Sequence, residues 1–199
     1  MIKINNFSKK DIYKNFNLEI NEGITFLKGR NGSGKTILLD AISNVDNNYT
    51  GIITGNDDIV YLNQNIYISG MLKVEDFVKF TVNLNGNRYS KEKFMEIVES
   101  YKDIFNFSEM IDKKIGKLSG GELRFTFFIT LIAMSKKWYI LDEPFNFVDI
   151  ENKQIMCKLI KKIVDDGKNV IITSHDEIFL EYLNNVNIID IDEVKKKIV

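Results

Sequence analysis

The sequence predicts an α/β fold with a helical segment set into it. Three observations carry that prediction. Two continuous apolar runs, residues 138–141 and 170–173, read as buried parallel strands, and the stretch 152–164 between them reads as a helix. A glycine-rich loop at 29–36 stands between a short apolar strand and a helix-forming segment. In the middle, Phe94, Ile97, Val98 and Tyr101 recur at i, i+3, i+4 and i+7, the stripe of an amphipathic helix.

In chain order, residues 2–4, 16–20 and 24–27 read as short strands, with Asn21, Glu22 and Gly23 as a turn. Residues 36–43 form a helix directly after the glycine loop. Residues 52–54 and 59–62 are further strands, separated by the turn residues Gly55, Asn56 and Asp57. The segment 66–117 reads as a helical insertion. Phe77, Val78 and Val82 mark one of its helices, and Ser90 is placed to cap the helix that carries Phe94. Gly167 is a natural stop for the helix 152–164. The expectation is one domain over 1–199, its core from 1–65 and 118–199 and its helical sub-domain from about 66–117.

Composition narrows the function class. The chain has 199 residues, 44% hydrophobic and 28% charged, enough to bury a core as one domain. Net charge is -1, so no global basic field points to nucleic acid, and no nucleic-acid partner is expected. The single cysteine, Cys157, has no partner for an internal disulfide and sits in a helical run, where packing is its expected role. The first residues lack the apolar stretch of a secretory signal. The longest apolar run, 125–134, falls well short of the roughly 20 residues that span a bilayer. A role at a membrane therefore calls for a second polypeptide to supply the span.

Gly29-Arg30-Asn31-Gly32-Ser33-Gly34-Lys35-Thr36 fits the phosphate-loop pattern G-x-x-x-x-G-K-[ST]. Its glycines let successive backbone N–H groups turn toward phosphate oxygens, and the helix that follows adds the positive end of its dipole. Lys35 is placed for the β- and γ-phosphates and Thr36 for Mg²⁺. A chance glycine loop is the competing reading; the strand before and the helix after weigh against it. Downstream, the apolar run 138–141 ends in Asp142 and Glu143. A parallel strand delivers such acids to the sheet edge where ligands of open α/β sheets bind. Asp142 is placed for Mg²⁺ and Glu143 to polarise an attacking water. Alone, a strand ending in two acids is a weak signal; after a phosphate loop it is a strong one.

Leu118-Ser119-Gly120-Gly121-Glu122 has a local reading of its own. Ser119 and Glu122 form an S-x-x-E capping box ahead of an apolar run, and a capped, glycine-flanked helix end suits an anion. The same pentapeptide resembles the signature of ATP-binding cassette (ABC) ATPases, and the remaining motifs fall in that family's order over essentially the whole chain. Gln64 resembles the Q-loop glutamine that touches Mg²⁺ and water, residues 144–149 the D-loop, and His175 the switch histidine at the γ-phosphate. His175 is the chain's only histidine and Pro144 its only proline, which supports the assignment.

The resemblance implies a P-loop NTPase core of ABC type, with a small antiparallel β sub-domain and an inserted helical sub-domain. It implies an ATPase with ATP and Mg²⁺ as ligands. Glu143, His175 and Gln64 would be catalytic. Gly29, Asn31, Gly32, Ser33, Gly34, Lys35 and Thr36 would bind nucleotide, and Thr36, Gln64 and Asp142 would hold Mg²⁺. Ser119, Gly120, Gly121 and Glu122 would serve the nucleotide of a second subunit in trans, in a dimer expected to be homomeric. The expected role is a cytoplasmic subunit, peripheral at the inner face of the cell membrane, that drives a separate transmembrane permease. Peptide or bacteriocin export, or immunity, is the narrower expectation; a soluble ABC ATPase of DNA repair or translation is the alternative.

The chain departs from the family at several points. No aromatic residue stands clearly where one usually stacks on adenine. Tyr13 is a candidate and Phe7 a weaker one, with core or surface packing the expected role of each. The helix after the signature carries Arg124 followed by Phe125, Phe127 and Phe128, where basic residues are common. Asn63 replaces a frequent proline, and Phe147 is bulkier than the residues usual in the D-loop.

Overall fold

A computed structural model describes residues 1–63, 68–84, 90–104, 107–146 and 148–196. The chain divides into two compact units. The first comprises Met1–Gln64, Lys136–Pro144 and Val164–Val199; the second comprises Asn65–Ser135 and Phe145–Ile163.

Two sheets build the first unit. β1 (Ile2–Lys9), β2 (Tyr13–Ile20) and β4 (Thr50–Thr54) form an antiparallel sheet in the order β2-β1-β4. Ile2 pairs with Ile20 and Ile4 with Ile53, which sends alternate apolar side chains inward. This is the small antiparallel sub-domain. β3 (Ile24–Lys28), β5 (Ile59–Leu62), β6 (Trp138–Asp142), β7 (Asn169–Thr173) and β8 (Val186–Asp190) form a parallel sheet in the order β5-β6-β7-β3-β8. Every residue of β6 and β7 is buried, as their unbroken apolar character requires. The register sets Asp142 directly opposite Thr173 at the carboxyl ends of these strands. Helix α1 (Lys35–Ile42) buries Leu38, Leu39, Ala41 and Ile42 in a core that also contains Ile4, Phe7, Tyr13, Phe16, Trp138 and Ile171.

The strands extend further than the sequence pattern indicated. β1 runs to Lys9 through register shifts around Phe7, and β2 begins at Tyr13. β8 and the short helix α6 (Ile191–Lys196) are additions to the sequence reading. β8 is only partly buried, so its apolar residues give no clean alternation.

The second unit is helical. It contains α2 (Val74–Leu84), α3 (Lys91–Glu99), α4 (Gly120–Ala133) and most of α5 (Ile150–Asp165). Phe77 of α2 meets Phe127 of α4 edge-to-face at 4.6 Å, and Phe94 meets Phe107 at 5.7 Å. Ser90 caps α3 as expected, its Oγ accepting the Lys93 N–H at 3.4 Å. Tyr101, expected on the α3 stripe, lies beyond the helix in a turn but is still buried. Ser100 closes α3: its N–H bonds the carbonyls of Glu96 and Ile97, and its hydroxyl donates to Ile97 O at 2.7 Å. α4 is buried all round from Arg124 to Ile132, so its phenylalanines are core residues. Among the described residues, no helix is long and apolar enough to cross a membrane.

Candidate functional site

The first unit holds a pocket of about 330 Å³ lined by Ile12, Asn31, Gly32, Ser33, Gly34, Lys35, Thr36, Ile37, Asp142, Glu143 and His175. The loop between β3 and α1 forms its floor. Gly34 precedes α1 with φ +97°, a left-handed conformation that glycine adopts freely. A Cβ there would stand 2.6 Å from Ile12 Cγ2 and 2.9 Å from Tyr13 Cε2, so only glycine fits. The loop is tied from three sides. Tyr13 donates its hydroxyl to Gly34 O at 3.0 Å, Asp192 accepts the Arg30 N–H at 2.9 Å, and the Lys195 ammonium donates to Ser33 O. Lys35 is buried, and its ammonium bonds the loop carbonyls of Gly29 at 2.6 Å and Arg30 at 3.3 Å. A buried cation at a helix N-terminus, among turned backbone amides, is a receptor for a polyphosphate.

The acids sit where the parallel sheet ends. Asp142 is 1% exposed and accepts three hydroxyls. Thr36 donates to Oδ2 at 2.9 Å, Tyr61 to the same oxygen at 3.3 Å, and Thr173 to Oδ1. Burial, followed by the charges of Asp142 and Asp40, pushes the Tyr61 hydroxyl well above the ordinary tyrosine range, so it stays a donor. Burial likewise raises Asp40. Thr36 and Asp142 thus bring a hydroxyl and a carboxylate within 2.9 Å of each other, a hard-oxygen pair of the kind Mg²⁺ takes from protein.

Glu143 follows with φ +51°, a left-handed conformation uncommon for a residue with a side chain and costing about 1–3 kcal/mol. Its N–H is held by Thr173, through the carbonyl at 3.2 Å and the hydroxyl at 3.1 Å. This turn bends the chain sharply after β6 and brings the carboxylate to the pocket. His175, two residues beyond β7, donates its backbone N–H to Glu143 Oε2 at 3.1 Å, and its Nε2 lies 3.3 Å from Oε1. Glu143 is buried, while the His175 side chain is half exposed. The pair can position a water and take its proton.

The second unit carries Ser119, Gly120, Gly121 and Glu122 at the start of α4. Ser119 Oγ accepts the Glu122 N–H at 3.2 Å, and Glu122 Oε2 accepts the Ser119 N–H at 2.8 Å, the reciprocal capping box read from the sequence. Lys113 adds a 2.8 Å bond to Glu122 Oε1, and this ion pair, with the Ser119 N–H, holds the Glu122 carboxyl below the usual range. Asp149 accepts the Asn152 backbone N–H at 2.9 Å ahead of α5, which holds its carboxyl low too.

Within one pocket the structure therefore gathers Asn31, Gly32, Ser33, Gly34, Lys35, Thr36, Asp142, Glu143 and His175. Gly29 supports that loop through Lys35. Gln64 and Phe147 lie outside the described residues. Tyr13 and Phe7 are both core residues, so packing was their role. Sequence reasoning missed Tyr61 and Thr173, the other two hydroxyls on Asp142, and the tie from α6 through Asp192 and Lys195. Thr173 was within reach, because the last residue of a strand beside β6 falls next to its terminal acid.

Comparison with known proteins gives the family. The family model described as ABC transporter matches residues 13–146. An uncharacterized ABC transporter ATP-binding protein of Methanocaldococcus jannaschii is 30% identical over 179 residues, covering 87% of this chain and 68% of that protein. The zinc import ATP-binding protein ZnuC of Ehrlichia canis is 31% identical over 177 residues, covering 85% and 70%. Among solved structures, the dimeric structure of a bacterial ABC transporter cassette superposes with a TM-score of 0.77 at 21% identity. It covers 96% of this chain and 95% of that one, a likeness of fold.

Proposed function

Since the chain belongs to the ABC transporter ATP-binding family, we propose that two copies close head-to-tail around two ATP–Mg²⁺. Each site would pair the phosphate loop of one copy with Ser119, Gly120, Gly121 and Glu122 of the other. This chain is an ATP-binding subunit of an ABC transporter, of a family that hydrolyses ATP in transport. The convergence of the loop, Asp142, Glu143 and His175 on one pocket supports the hydrolytic half of each site, and the capped, glycine-flanked start of α4 at Ser119 supports the half supplied in trans.

The chemistry follows from the positions of these groups. Loop amides and the α1 N-terminus hold the phosphates, and Lys35 exchanges the carbonyls of Gly29 and Arg30 for phosphate oxygens. Glu143 accepts a proton from water as its oxygen attacks the γ-phosphorus. The bond to the bridging oxygen breaks, and ADP and phosphate leave. His175 orients the Glu143 carboxylate and faces the γ-phosphate. Thr36 and Asp142, with Gln64 by family resemblance, are the residues that would hold Mg²⁺. Bound there, the ion would neutralise charge on the β- and γ-phosphates. Hydrolysis then opens the dimer and moves a transmembrane permease, with this subunit peripheral at the inner face of the membrane.

The insertion at 66–117 is short, which supports a small coupling groove and the peptide or bacteriocin export or immunity reading. A relative named for zinc import supports a metal importer on equal terms. Recovery of a multi-spanning partner from solubilised membranes supports transport; recovery with ribosomes or DNA alone favours the soluble alternative. Phosphate release tests the chemistry. Glu143→Gln should still bind ATP but lose about 10²–10³-fold in turnover; hydrolysis at the parent rate would refute the role of Glu143.

A further inference from the structure

The phosphate loop holds one end of the nucleotide; what meets the other end rests on the nucleotide-binding reading above. With the γ-phosphate toward Glu143 and His175 and the β-phosphate in the loop, the base must leave along the remaining wall of the pocket. One lining residue belongs neither to the loop and α1 nor to the edge that carries Asp142, Glu143 and His175. It is Ile12, in the turn between β1 and β2.

The neighbouring aromatic residue cannot take that place. Tyr13 is 1% exposed, and four contacts hold it. Its hydroxyl donates to Gly34 O at 3.0 Å, its ring meets Phe7 at 5.2 Å and Phe16 at 4.9 Å, and the Lys195 ammonium lies over its face at 3.9 Å. Turning it outward would unmake the support of the phosphate loop and the centre of the core. Tyr13 is a strut under Gly34. Ile12, half-buried beside it, offers an aliphatic surface with no π-face to stack on a base and no donor or acceptor to read its edge. The hydrogen-bonding side chains of the pocket, from Asn31 to Thr36 and from Asp142 to His175, all belong to the phosphate half.

We propose that this chain binds nucleoside triphosphates through the polyphosphate alone, with Ile12 as a base wall that does not distinguish adenine from guanine. The base adds little affinity, and the residue at position 12 sets how much it adds.

Calorimetry on the whole chain with Mg²⁺ tests this, using the non-hydrolysable imido analogues of ATP and GTP and inorganic tripolyphosphate as probes. The two nucleotides should bind within about threefold of each other and tripolyphosphate within about tenfold of both. Ile12→Tyr should tighten both nucleotides by about 5- to 150-fold, the range that base stacking on an aromatic side chain supplies. Tripolyphosphate affinity should stay unchanged in that variant, which shows the loop intact. An ATP analogue bound more than tenfold tighter than the GTP analogue overturns the inference and leaves the phosphate loop standing. Nucleotide affinities unmoved by Ile12→Tyr overturn it as well. Failure of all three probes to bind the folded parent chain overturns the nucleotide reading and this inference together.

Discussion

Glu143 and His175 meet twice, through the His175 backbone N–H on Oε2 at 3.1 Å and through Nε2 3.3 Å from Oε1. The two residues come from adjacent parallel strands, one and two residues past their carboxyl ends. The main-chain bond fixes the carboxylate whatever the side chain at 175. In the proposed cycle the half-exposed imidazole addresses the γ-phosphate. His175→Ala should therefore leave the melting temperature nearly unchanged while phosphate release falls by about 10²–10³-fold. A large loss of stability with turnover retained would make His175 a structural residue.

Gly34 is the tightest point of the phosphate loop. Gly34→Ala meets Ile12, Tyr13 and an unfavourable φ at once. Calorimetry should find no nucleotide binding, whereas circular dichroism should find the fold retained, because Gly34 takes no part in the strand pairing of either sheet.

Glu122 gives the second unit a pH dependence of known sign. Its carboxyl is held low by Lys113 first and by the Ser119 N–H second. Stability from a depressed carboxyl is present above the ordinary carboxylate range, near about 4.3, and is lost as pH falls through and below it. Glu122→Gln should melt below the parent at pH 7, and the gap should narrow toward pH 3. A gap that is constant with pH would remove the ion pair from the account.

Burial pushes the Cys157 thiol up to about 12. At pH 8 the folded protein should resist a thiol reagent and react stoichiometrically once denatured. Rapid labelling of the native chain would contradict the packing of α5.

Much of this was legible in the sequence because the decisive residues carry local signals. Glycines that must turn, an apolar strand ending in two acids, and a serine three residues before a glutamate each announce their own geometry. The boundaries of β1 were less legible, since Asn6 takes a φ of +50° at a register shift and the apolar alternation breaks there. Edge strand β8 was missed because an edge buries less and so alternates less clearly. The three hydroxyls on Asp142 come from α1, β5 and β7, and only the sheet order brings Tyr61 and Thr173 together with Thr36. Tyr13 was legible as a packing residue, and its neighbours Phe7 and Phe16 hold it in the core.

In the proposed dimer one chain holds half of each site, and mass measurement tests this directly. By light scattering, Glu143→Gln with ATP–Mg²⁺ should show twice the 23.1 kDa of one chain, and with ADP the single-chain mass. Adding Ser119→Arg should abolish the dimer while single-chain ATP binding persists. A single-chain mass for Glu143→Gln with ATP bound, or a dimer indifferent to Ser119→Arg, would contradict the account.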